Sequence, residues 1–163
     1  MQRRTLLAAT VGALVSAGCV PEGKVLQVTA PPSTPPAGKI ERVLVWLPPQ
    51  EGIARPKLGD AFVSAFAPYG VSVRVGRAIP LELNRGDDQA AMMNELKATH
   101  RLEVEVAYYR EGGSSPGQLT LAVAVYAGTS RTPLMTLHYR PTGLSDYSLA
   151  DVVVQKLRER GYL

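Results

Sequence analysis

The chain has 163 residues, 45% apolar and 20% charged, which suits one folded domain with tails and excludes disorder throughout. A single cysteine excludes a disulfide framework and a Cys-rich zinc site, and neither a collagen nor a coiled-coil period is present. Four of the 18 cations and one of the 14 anions precede residue 40, so residues 40–163 carry 14 against 13 and lack the strongly basic patch of a nucleic-acid binder.

The amino terminus reads as an address. Arg3 and Arg4 form a positive n-region. Residues 6–15 are charge-free and mostly apolar, about half of the ~20 residues that span a bilayer but typical of a signal h-region. Ser16, Ala17 and Gly18 supply small side chains, and Cys19 follows at once. These residues resemble the lipobox of bacterial lipoproteins. In that family the cysteine takes a diacylglycerol thioether, the peptide is cut before it, and the new terminus is acylated. The resemblance implies a signal peptide over residues 1–18, lipidation at Cys19 and a membrane as partner. Ser16 stands where that family usually has Leu. The alternative is an ordinary signal cut nearby, leaving a free thiol. Acyl chains contribute about 0.8 kcal/mol per buried CH₂; one chain anchors marginally, and three would anchor for good.

Residues 3–7, Arg-Arg-Thr-Leu-Leu, also resemble the twin-arginine export signal. Two adjacent arginines equally make a good n-region for general export. Val20, rather than the Asp that retains many lipoproteins in the inner membrane, favours the outer membrane, with inner-membrane retention as the alternative.

Residues 19–39 form the lipidated cysteine and a Pro-rich tether. Pro21, Pro31, Pro32, Pro35 and Pro36 predict an extended, semi-rigid spacer. At about 3.1 Å per residue its upper reach is roughly 60 Å, enough to hold a body clear of the headgroups.

Residues 40–163 read as the globular domain. Val43 to Leu47 is a continuous apolar run stopped by Pro48 and Pro49, which predicts a strand covered on both faces. Pro56 can open a helix whose one face carries Leu58, Ala61, Phe62, Ala65 and Phe66, with Gly70 past its end. Val71, Val73 and Val75 alternate as a strand, and the unit suits a right-handed parallel crossover. Asp87 and Asp88 can cap a helix running to about Thr99, with Met92 and Leu96 on one face. Three alternating strands follow: one through Leu102, Val104, Val106 and Tyr108, one through Leu119, Leu121, Val123 and Val125, and one through Met135, Leu137 and Tyr139. The Gly- and Ser-rich residues 112–117 predict a hairpin loop between the first two, so the three form a meander. Ser148 and Asp151 fit a capping-box-like start to a last helix. Its buried stripe is Leu149, Val152, Val153 and Leu157, its last turn is basic, and Gly161 ends it.

The order β-α-β-α-β-β-β-α predicts a single α/β domain, a five-stranded mixed sheet with about three helices on both faces. An α+β two-layer sandwich is the alternative. Ala122 and Ala124 would let a helix backbone approach the second face. The order resembles the small α/β domain at the amino end of the Tol-Pal translocation protein, and is similar to the core of curli-secretion-type lipoproteins. Element order alone transfers no function.

Chemistry is sparse. His100 and His138 lack zinc-ligand spacing, and His100 reads as a helix-end cation or surface group. Ser114 and Ser115 sit in the predicted hairpin loop and no Gly-x-Ser-x-Gly occurs. The glycines at 112, 113 and 117 do not form a phosphate loop. Trp46 reads as core. Neither Asn84 nor Asn94 begins the peptidoglycan-binding stretch of the outer-membrane-protein-A type. Glu103 and Glu105 are placed on one strand face with Tyr109, an acidic strip for a basic partner or simply a solvated side. No catalytic, metal or cofactor residue is assigned. The reading is a non-enzymatic lipoprotein of the cell envelope that engages a protein partner. The alternatives are an auxiliary lipoprotein of an envelope transporter or lipopolysaccharide-assembly machine, or a hydrolase with an unfamiliar site.

Overall fold

The computed structural model describes residues 23–30, 38–49, 57–77, 85–110, 118–141 and 147–163. The signal segment, Cys19, the prolines at 31–36, Pro56 and the loop holding Ser114 and Ser115 lie outside them. The strands are β1 Gly23–Thr29, β2 Arg42–Leu47, β3 Ser72–Arg77, β4 His100–Arg110, β5 Gln118–Ala127 and β6 Met135–Pro141. The helices are α1 Leu58–Phe66, α2 Arg85–Leu96 and α3 Tyr147–Glu159, and a short 3-10 turn spans Ala67–Tyr69.

The strands form one mixed sheet in the order β1-β6-β5-β4-β2-β3. It has six strands, not the expected five. The additional one is β1, drawn from the segment expected to be spacer and paired antiparallel to β6. Its signal is hidden by a bulge. The register slips between Val25 and Gln27, so Val25 and Val28, three apart, both pack on the core while Leu26 turns outward. That breaks the period of two by which a strand is read.

The parallel pairing of β2 with β3 and the antiparallel meander of β4, β5 and β6 match expectation, and a parallel pairing of β2 with β4 joins the two. β2 is the keystone: residues 43–47 are all buried. Val43, Val45 and Leu47 join the main core with Phe62 and Phe66 of α1 and Leu149, Val153 and Leu157 of α3. Leu44 and Trp46 point the other way, into a smaller cluster with Met93, flanked by Met92 of α2. A strand apolar on both sides thus recruits helices to both faces. Gly76 of β3 makes room for the indole, since a Cβ there would lie 2.5 Å from the Trp46 ring.

Helices α2 and α3 stop in the same way. After α3, Gly161 takes φ 76, Tyr162 N donates to Leu157 O at 3.0 Å and Gly161 N donates to Arg158 O at 3.0 Å. After α2, Lys97 takes φ 51, Ala98 N donates to Met93 O at 2.9 Å and Lys97 N donates to Asn94 O at 3.1 Å. Both are Schellman ends, in which a left-handed residue lets free carbonyls find donors. α2 begins at Arg85, so Asp87 and Asp88 lie inside its first turn rather than capping it, and it ends before Thr99. α3 begins at Tyr147, which puts Ser148 in its first turn. There the buried Ser148 Oγ accepts a hydrogen bond from Tyr139 Oη at 2.8 Å. The Tyr139 side chain is wholly buried, so its hydroxyl requires such a partner.

Tyr139 also fills the space above Gly23. A Cβ at position 23 would fall 1.6 Å from Tyr139 Oη. Gly23→Ala is therefore expected to displace the start of β1 or the phenol and to lower stability by about 1–3 kcal/mol, read as a fall in the urea midpoint. Lys97→Gly, which relieves a left-handed lysine, is expected to raise stability by about 0.5–1 kcal/mol in the same assay.

Candidate interaction surface

One half of the second face is covered by α2 over β2 and β3. The other half, from β4 across β5 and β6 to β1, is built of small and polar side chains. The ladders align it in rows. Glu103, Ala124, Thr136 and Thr29 form one, and Glu105, Ala122, His138 and Gln27 form the next. Ala122, Ala124, Thr136 and His138 are half-buried, while Glu105, Gln27 and Thr29 are exposed. The result is a trough with a floor of two alanines, between a β4 wall and a β6–β1 wall.

The β4 wall is already tied together. Arg101 pairs with Glu103 on its own strand at 2.8 Å, and Gln89 Nε2 of α2 donates to Glu103 Oε1 at 2.8 Å. The Arg101 guanidinium lies 4.3 Å from the Tyr126 ring centroid, a cation–π contact that holds the side chain flat across β5. Burial raises the Tyr126 hydroxyl above its ordinary pKa, Glu103 adds to this, and Arg101 opposes it. Glu103 is thus half-buried and engaged with Arg101 and Gln89, which removes it from the expected open acidic strip.

The aromatic member of that surface also changes. The β4–β5 register slips between Val106 and Tyr108. Tyr108 therefore falls opposite Thr120, on the face of Glu103 and Glu105, and is 48% exposed. Tyr109 falls opposite Leu119, a residue of the core face. The expected Glu103–Glu105–Tyr109 grouping is corrected to Glu103, Glu105 and Tyr108. An alternating sequence cannot show this, because one bulged residue reverses every later side.

The two histidines stand on opposite faces of the sheet. His138 lies in the trough. His100 opens β4 on the core side and is 2% exposed, contrary to the expected surface position. Its ring meets Tyr162 edge-on, with centroids 6.5 Å apart. Thr99 Oγ1 donates to Arg42 O at 3.0 Å, and His100 Nδ1 lies 3.0 Å from that hydroxyl. His100 Nε2 is buried with no partner among the described residues. Burial favours the neutral ring and pushes the His100 pKa down. Among the described residues no group of three His, Cys, Asp or Glu side chains could hold a metal. A shallow groove of about 330 Å³ runs between α1 and α3, lined by Ala65, Tyr69, Asp151, Val154, Gln155 and Arg158, and neither histidine borders it.

The buried imidazole sets a pH dependence. An unfolded histidine titrates near 6.5, and His100 in the folded chain titrates lower. As the pH falls through that value the unfolded chain gains a proton that the folded chain refuses. The stability associated with a neutral His100 is fully present above about pH 6.5 and declines below it, until the folded ring titrates as well. His100→Gln is expected to flatten the stability profile between about pH 7 and pH 5, measured by urea unfolding.

No protein-family model matches the chain, and no curated protein matches it. Among the solved structures similar to it are two of one protein. One is the PelC dodecamer from Paraburkholderia phytofirmans in space group P6, at 13% identity and a TM-score of 0.48, covering 82% of this chain and 94% of that one. The other is a point variant of PelC from the same organism, also a dodecamer, in space group C2. It is 16% identical with a TM-score of 0.48, and the match covers 83% of this chain and 95% of that one. Nothing about this chain's activity or partners follows from likenesses at that level.

Proposed function

We propose that the chain is a lipoprotein of the cell envelope, held to a membrane by Cys19 and acting as a non-enzymatic interaction or assembly component. The observation that carries this reading is the placement of Cys19. It is the only cysteine, it follows Ser16, Ala17 and Gly18 directly, and it closes an apolar stretch behind two arginines. A cysteine kept for packing belongs in a periodic apolar segment; this one stands at a processing signal. The trough is the surface offered to a protein partner. Its alanine floor admits close approach, and its walls offer hydroxyl, amide and imidazole groups for hydrogen bonds.

Mass spectrometry of the mature amino-terminal peptide is expected to find the thioether-linked diacylglycerol on Cys19. Cys19→Ala is expected to move the body into the soluble fraction. A bare thiol on the mature wild-type chain overturns the reading. For the partner, Ala124→Arg raises a long cation from the trough floor without touching the main core. It is expected to abolish in-cell crosslinks made from position 136 while leaving the urea midpoint unchanged; crosslinks that survive it exclude the trough.

A further inference from the structure

The first strand begins only four residues after Cys19. Four residues of chain span at most about 14 Å, so the anchor and the sheet are near neighbours. The chain enters at a defined end. Gly23 pairs with Pro141, at the end where β6 finishes, and β4 finishes at that end too. One step inward, Lys24 of β1 stands directly opposite Arg140 of β6. One step beyond the Leu121–Tyr139 pair, the same row continues through Thr120 to Tyr108. Lys24, Arg140 and Tyr108 thus lie on one face at one height, across about 14 Å of sheet.

Lys24 and Arg140 are like charges set directly opposite each other, an arrangement that destabilises a sheet. Among the described residues neither makes an ion pair, and Arg140 Nε is buried without a partner. Among the described residues the carboxylate nearest on that face, Glu105, sits one row further in, two strands from β6. Two cations without an anion among the described residues, in one row with an exposed tyrosine, match a surface of phosphate headgroups over an apolar interior. A tyrosine at such a boundary keeps its ring in the interface and its hydroxyl in water.

We propose that this end of the sheet rests on an anionic lipid surface, with Lys24 and Arg140 on headgroup phosphates and Tyr108 in the interface. The proposal rests on the anchor at Cys19, which holds the row within reach of the bilayer. It departs from the long-spacer expectation: residues 23–29 are strand, so the body lies against the membrane rather than clear of it.

The test uses the lipidated full chain in phosphatidylcholine vesicles with and without phosphatidylglycerol. Acylation consumes the native thiol, so Tyr108→Cys accepts a polarity-sensitive fluorophore at one place. Ser130→Cys, past the opposite end of β5, is the control. The label at 108 is expected to shift to the blue and to be quenched by headgroup quenchers when phosphatidylglycerol is present. The label at 130 is expected to stay aqueous. Lys24→Gln combined with Arg140→Gln is expected to reduce the quenching at 108 several-fold, while the protein still sediments with the vesicles and its unfolding midpoint does not fall. A label at 108 as aqueous as that at 130, or quenching indifferent to phosphatidylglycerol, overturns the proposal and leaves the anchor standing. A wild-type chain that itself takes up one label per molecule reveals a bare Cys19 and overturns both.

Discussion

Gly23 has no side chain, and Tyr139 occupies the room that one would need. That contact seats the first strand on the sheet edge. The phenol passes beneath Gly23 to reach Ser148, so a single buried hydroxyl links β1, β6 and the first turn of α3. The seam joins the amino-terminal segment to the main core. Whatever is fixed to the chain just ahead of Gly23 is thereby fixed to a rigid sheet, not to a slack spacer. The membrane geometry proposed above depends on this arrangement, because a floating β1 would decouple the Lys24–Arg140 row from the anchor.

Much of the body was readable because its elements carry undisturbed periods. The buried run of β2, the helical face of Leu58, Phe62 and Phe66, the stripe of Leu149, Val153 and Leu157, and the glycine that ends α3 all obey local rules and keep them in three dimensions. The errors cluster where one residue breaks a period. Leu26 bulges from β1 and removes the strand signal. A second slip, between Val106 and Tyr108, brings Tyr108 to the face of Glu103 and Glu105 and shifts every later register position by one. His100 is a different failure. Its place after a helix suggested solvent, but Tyr162 folds back over it once Gly161 has turned the chain. That contact between residues 62 positions apart leaves no local trace.

The two ends of the sheet are built differently. At the end where β2 and β4 begin, the chain is stitched by main-chain bonds: Ile40 N donates to Tyr162 O at 2.9 Å, and Thr99 O accepts from Gly128 N at 2.8 Å. Arg42 Nε adds a bond to Lys97 O at 2.8 Å, so the left-handed lysine also presents its carbonyl to β2. The opposite end, where β1 begins, carries Lys24 facing Arg140 and the exposed Tyr108, and it is this end that the proposal above sets against the lipid.

The single indole lies in the smaller core, wedged between Gly76 and the methionines of α2, with its Nε1 buried and without a partner among the described residues. No other tryptophan is present in the chain to mask it. Its ultraviolet emission is therefore a native gauge of one layer alone. A red shift would signal water arriving beneath α2 while the α1–α3 layer remained closed, so the two sides of the molecule can be watched melting separately without any dye.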